Sequence, residues 1–232
     1  MTRWRVVLLF ALAVGGGVLM AEAAAAGEIR GRVLLSGAMP PARKVPVTID
    51  SYVCGTEKVS EDLVVTSDRE IRNVVVWIDT PPPGAPSAGP PPPTQMDQKE
   101  CAFTPRVVLV PAGGTVEFLN SDRLLHNLHS RAKDNPAFNR TQPKGRAIPI
   151  SFARPEIVRV DCDLHSWMRG WVVVTPHPFY VITDAQGRFR LDNLPAGQYT
   201  LQMWHERLGQ LSRPLTVAAD GATSVTLEFP SR

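Results

Sequence analysis

Apolar and polar positions alternate in short runs along most of the chain. In EIVRVDC, Val158, Val160 and Cys162 fall on one side and Arg159 and Asp161 on the other. In DAQGRFRL, Phe189 and Leu191 share a face opposite Arg188 and Arg190. A period of two is the signature of a half-buried strand. EIRGRVLL, RNVVVWID, RVVLV, GTVEFLN, GWVVV, GRFRL, GQYTLQMW and TSVTLEF read the same way, with Gly, Pro, Asn and Asp between them. No long stretch carries a helical period. The pattern predicts an all-β protein built as sandwiches or barrels.

Two stretches interrupt the pattern. TPPPGAPSAGPPPPTQ, residues 80–95, has no core-forming face and reads as a solvated loop between strands. TPHPFY, 175–180, is a short Pro-stiffened seam, so the parts on either side are expected to pack together. At the start, Arg3 and Arg5 precede about 15 apolar residues and then several A-x-A steps. That is the layout of a cleaved secretory signal over 1–26. A membrane anchor is the other reading, but the run is short of the ~20 residues a span needs. The expected location is periplasmic or secreted.

Composition adds little beyond this. The formal charge of +3 is too near neutral to argue for a nucleic-acid partner. The three cysteines, Cys54, Cys101 and Cys162, permit three single disulfides and leave one thiol over. If Cys162 is a metal ligand, Cys54–Cys101 remains by elimination. If it is not, Cys162 pairs with one of the other two. No C-x-x-C, C-x-x-C-H, G-x-S-x-G or H-E-x-x-H occurs, so no catalytic pattern is present and the chain is not read as an enzyme.

The candidate chemistry lies in CDLHSWMRG, where Cys162, His165 and Met168 stand three apart. Strand alternation aims Cys162 inward, and the turn after it brings back two more soft donors. A single loop does not close a site. LLHNLHS offers the missing imidazole: His126 and Leu128 share one side, Asn127 and His129 the other. His126 is thus the partner for Cys162, and His129 is read as an exposed or capping residue. Two histidines, a thiolate and a nearby thioether form the ligand set of a blue-copper site. The competing readings are a structural disulfide for Cys162, a core histidine for His126, packing for Met168, and zinc in place of copper.

CDLHSWMRGWVVV resembles the copper loop of the cupredoxins, nearest the amicyanin type, with C-x-x-H-x-x-M before a Val-rich strand. The upstream F-x-P, V-x-x-G-x-x-V-x-F-x-N-x-D and H-N pieces resemble the same family, from about 73 to 175. The resemblance implies a Greek-key β-sandwich with one type 1 copper. His126, Cys162 and His165 would be its equatorial ligands and Met168 the weak axial one. It also implies that Asn127 ties the two ligand loops together, and that His165 is the ligand nearest solvent and the natural exit route for an electron. Asp163 departs from the small or hydroxyl residue familiar at its position.

TDAQGRFRLDNLPAGQYTLQMW resembles the carboxypeptidase regulatory-like, or transthyretin-like, sandwich, a pattern that speaks to fold and not to function. The expected layout is an N-terminal β segment over 27–63, a cupredoxin domain over 64–175 and a small sandwich over 176–232. GEIRGRVLLSG looks like an opening strand of that last unit, so a nested arrangement stands beside a sequential one. The function expected is one-electron transfer between redox partner proteins. Copper handling without redox cycling, or an interaction module with a metal-stabilised loop, are the alternatives. Trp171 is expected in a core. Trp167 is a candidate docking contact, with ordinary packing as its other reading. His177 and His205 are expected to make interface hydrogen bonds.

Overall fold

The computed structural model describes residues 26–83, 93–218 and 221–231. The signal-like stretch and most of the Pro-rich loop lie outside the described residues. Described secondary structure is almost entirely strand, with one helical turn, α1, at Ser51–Cys54. No helix among the described residues is long and apolar enough to cross a membrane.

Four sheets build two sandwiches. The first begins after the Pro-rich loop. It contains β5 (Thr94–Lys99), β6 (Ala102–Thr104), β7 (Val107–Pro111), β8 (Thr115–Asn120), β9 (His126–Ser130), β10 (Asn139–Gln142), β11 (Ile148–Ser151), β12 (Glu156–Asp161) and β13 (Arg169–Thr175). One sheet runs β10-β9-β12-β13-β7, the other β11-β8-β5-β6. The alternation seen in the sequence supplies the core. Val116 and Phe118 of β8, Val158 and Val160 of β12, Leu128 of β9 and Met96 of β5 all meet inside.

The second sandwich draws on both ends of the described chain. It uses β1 (Ala26–Ser36), β4 (Val75–Ile78), β14 (Tyr180–Ile182), β15 (Arg188–Pro195), β16 (Gly197–His205), β17 (Gly209–Val217) and β18 (Ala222–Pro230). β1 pairs antiparallel with β15 and parallel with β18. The other sheet runs β14-β4-β16-β17. Ile29, Val33, Val76, Phe189, Leu201, Leu227 and Phe229 fill the core. The turn into β15 needs Gly187, whose φ of +64 a side chain would strain against Glu70 and Ile71.

One expectation is corrected here. RNVVVWID was placed in the cupredoxin part, but β4 hydrogen-bonds to β14 and β16 of the second sandwich. Its residues are apolar on both faces, because one face enters the second core and the other meets the first sandwich. Val75 of β4 packs with Val107 and Val173, beside Trp77, Trp171 and Trp204. Arg106 and Glu206 form a two-pronged ion pair across this seam. Trp171, expected in a core, sits half-buried against this cluster, its ring edge-on to Trp204 with centroids 4.9 Å apart.

Between β1 and β4 the chain makes an excursion. It forms the small hairpin β2 (Lys44–Pro46) and β3 (Glu57–Val59), with α1 at its tip. Val47 and Val53 pack against the core of the first sandwich, not the second. The N-terminal β segment, for which pairing with the C-terminal unit was one of two arrangements, therefore divides: β1 pairs there, and 44–59 reaches across to the other sandwich.

Candidate metal centre

Three sequence elements meet at one end of the first sandwich. β12 delivers Cys162, the following turn returns His165, and β9 opens with His126. Val160 pairs with Ser130 and Asp161 with His129, so β9 runs antiparallel beside β12 and carries His126 toward the loop. The loop is closed by its own backbone: Met168 N–H donates to His165 O at 2.8 Å, and Cys162 N–H to Met168 O at 3.2 Å.

The structure brings three donors together. Cys162 Sγ lies 3.5 Å from His165 Nδ1 and 3.9 Å from His126 Nδ1. The two Nδ1 atoms are 3.1 Å apart. His126 and His165 are fully buried and Cys162 is buried beside them. Met168 is buried in the same core. Cys162 is the free cysteine, because Cys54 and Cys101 are joined by a disulfide.

Two carboxylates decide what this cluster can do. His126 Nε2 lies 2.9 Å from Asp122 Oδ2, and His165 Nε2 lies 3.0 Å from Asp50 Oδ2. A carboxylate accepts, so each Nε2 directs a hydrogen at its carboxylate and each ring turns its Nδ1 inward, toward the thiol. Burial holds His126 below the ordinary imidazole value, against the opposing pull of Asp122, which keeps its Nδ1 available as a donor to a metal. A cation at the centre satisfies all three donors at once. The carboxylate–histidine pairing is also the usual outer support of a metal-bound imidazole.

The sulfur is poised in the same way. Burial pushes the Cys162 thiol up, while backbone N–H groups of Asn127, His165 and Leu164 oppose the shift. In a metal-free site it stays a thiol, and a cation reverses that balance. One thiolate with two imidazoles suits copper in either oxidation state, and zinc accepts the same donors.

The supporting shell is extensive. Asn127 Oδ1 accepts from Asp163 N–H at 3.1 Å, linking β9 to the ligand loop. Asp163, the departure noted in the sequence, pairs at the surface with His129 at 2.9 Å and with Asn139 Nδ2 at 3.0 Å. His129 lowers the Asp163 carboxyl. His129 thus lies outside the donor set. Asp122 also accepts from the backbone N–H groups of Glu100 and Cys101, at 2.7 and 2.8 Å. Trp167 donates its indole N–H to Cys101 O at 3.1 Å and sets its ring at a steep angle to His165, the two centroids 5.2 Å apart. Its polar hydrogen is spent inside the protein, and the ring is half-buried against the core.

His165 as the ligand nearest solvent is corrected. Its ring is fully buried, because Asp50 and α1 lie over it. Asp50 and Asp122 carried no role in the sequence reading. Asp122 closes the F-x-N-x-D pattern and stands four residues before His126, a signal that was available. Asp50 is far from His165 in sequence and had none. His177 and His205 take no part: each accepts a nearby backbone N–H, from Phe179 and Arg207.

No protein-family profile and no curated protein matches the chain. Among solved structures it is similar to the copper-containing nitrite reductase of Thermus scotoductus SA-01, at 24% identity and a TM-score of 0.36, over 43% of this chain and 26% of that one. It is similar to a purple cupredoxin from Nitrosopumilus maritimus at 22% identity and 0.32, over 35% of this chain and 99% of that one. A reduced tryptophan-to-tyrosine variant of amicyanin matches at 24% and 0.34, over 43% and 98%. Likeness at this level leaves the chemistry of the centre to rest on its own geometry.

Proposed function

We propose that the chain is a periplasmic or secreted type 1 copper protein that carries single electrons between partner proteins. The observation that carries this reading is the convergence of Cys162 Sγ, His126 Nδ1 and His165 Nδ1 in a buried pocket, with both Nε2 atoms spent on carboxylates. Met168, buried at the end of the same loop, is the proposed fourth and weaker ligand. Bound copper supplies a one-electron couple that neither imidazole nor thiol offers alone. The protein excludes water, fixes both ring tautomers and holds the sulfur among backbone N–H groups. The three donors are all buried, so no position faces solvent for a substrate, which favours a carrier over a catalyst.

Location and partner follow from other features. The Cys54–Cys101 disulfide suits an oxidising compartment. The exposed large apolar side chains include Ile49, Tyr52, Leu125 and Leu164. Each stands within two residues of Asp50, His126 or His165, where a redox partner would dock. The second sandwich, read from its sequence as carboxypeptidase regulatory-like, would serve as the platform. Copper retention without redox cycling is the second reading, favoured by the complete burial of His165.

The absorption spectrum of copper-loaded, oxidised protein tests both. The electron carrier should show an intense thiolate-to-copper band near ~600 nm. Cys162→Ser should abolish it. A colourless protein that takes up only Cu(I) would favour retention, and a band that survives Cys162→Ser would remove the proposed ligand set.

A further inference from the structure

The excursion 47–55 covers the metal centre and is fixed there at several points. Val53 and Cys54 donate their N–H groups to Asp50 O, each at 3.0 Å, folding the segment tightly around Asp50. Asp50 itself has φ 55, a left-handed conformation uncommon outside glycine. Its carboxylate is aimed at His165. Four residues on, Cys54 is bonded to Cys101. Cys101 is in turn held by Asp122 through its N–H and by Trp167 through its C=O. Lys58 completes the attachment with a hydrogen bond to Glu100 O at 2.6 Å. One disulfide thus ties the segment that carries the carboxylate over His165 to the turn whose N–H groups hold Asp122, the carboxylate on His126.

Resting on the copper reading above, we propose that 47–55 is a retention cover in which Asp50 is the positioning residue for His165, and that the Cys54–Cys101 disulfide acts through Asp50. The ligand loop alone leaves the His165 ring free to rotate about its side-chain bonds. Asp50 removes that freedom, selects the Nε2–H tautomer and keeps Nδ1 on the centre. The disulfide keeps Asp50 in place when the rest of the excursion moves. A metal ion held in this way leaves only when the cover lifts.

Five proteins test this: the wild type, Asp50→Ala, Asp50→Asn, Cys54→Ser with Cys101→Ser, and the combination of Asp50→Ala with both cysteine changes. Two measurements are made on each. The first is the ring-nitrogen NMR pattern of His165 in metal-free protein. The second is the rate at which bound copper passes to excess bicinchoninate under reducing conditions. The wild type should show the Nε2–H tautomer, and Asp50→Ala should mix the two tautomers. Copper release should rise about 10- to 100-fold in Asp50→Ala, the range seen when such outer partners are lost. Asp50→Asn keeps a neutral acceptor and should recover part of the difference. The disulfide variant should release copper as fast as Asp50→Ala, and the combined variant no more than about twofold faster, since the two act in one chain of contacts.

An unchanged tautomer and release rate in Asp50→Ala overturn the proposal. Disulfide and Asp50 effects that multiply overturn its second half. If the disulfide variant does not fold, Asp50→Ala and Asp50→Asn decide the first half alone. Failure of the wild type to bind copper at all would sink the copper reading instead, while the metal-free tautomer still reports on Asp50.

Discussion

The two sandwiches solve the same packing problem with different interiors. The second has a mainly aliphatic and aromatic core, from Ile29 and Val33 to Phe229, with Thr183 and His205 its most buried polar members. The first fills its middle similarly but ends in buried polar groups: Gln98, Asn120, Asp122, His126, Gln142 and His165. Such groups are costly to desolvate and are retained chiefly when hydrogen-bonded. Here each makes at least one such bond, although Gln98 Oε1 is buried without a partner. Asn120 Nδ2 donates to Leu124 O and Gln142 O, and Gln142 Nε2 to Phe118 O. One sandwich fills its interior with apolar packing, and the other gives up one end of its interior to a cluster of buried donors held in fixed geometry.

That contrast is open to direct attack. Phe229→Ala removes a fully buried ring from the aliphatic core. It should lower the unfolding free energy by about 4 kcal/mol, read by denaturant titration. The copper band of the protein that stays folded should not move. A shifted band would mean that the two interiors are not separable. Glu206→Gln acts at the seam, where Arg106 and Glu206 have side-chain exposures of only 10% and 5%. Leaving Arg106 buried without its counter-charge should cost about 3 kcal/mol. Calorimetry should then resolve two transitions in the variant and a single one in the wild type. A single, unshifted transition would show that the ion pair does not couple the halves.

The smallest of these effects concerns pH. His205 is buried in the second sandwich, and burial, aided by Arg106 and Arg207 and opposed by Asp62, pushes it down to about 4 from 6.5. The unfolded chain therefore binds a proton that the folded chain refuses between those values. Stability from this group is complete above pH 6.5 and drains as pH falls toward 4, by about 2 kcal/mol at pH 5. In metal-free protein, His205→Gln should flatten this part of the curve of midpoint against pH. If the slope persists, another group is responsible.

Much of this was legible from residue order. Period-two alternation marked β8, β12, β15 and β16, and it aimed Cys162 and His126 at one interior. Three things were not legible. β5 directly follows the Pro-rich stretch and reads TQMDQK, where only Met96 is strongly apolar, so its alternation is too thin to stand out. The double-sided burial of β4 looked like an ordinary buried strand, since the pattern does not say which sheet receives it. Asp50 was hidden because its role exists only after 44–59 folds across to the other sandwich. Local pattern reports which face is buried, and it is silent on which distant surface does the burying.

The parallel pairing of β1 with β18 has a consequence for the order of folding. Glu28 waits for Ala222, and Leu35 for Phe229, with more than 190 residues between the partners. Contacts so distant along the sequence form late, because closing such a loop costs entropy before it is rewarded. The strands of the first sandwich all lie within that interval. During synthesis the first sandwich can therefore close while β1 still has an open edge, and β18, which emerges after every strand of that sandwich, is the one that seals β1.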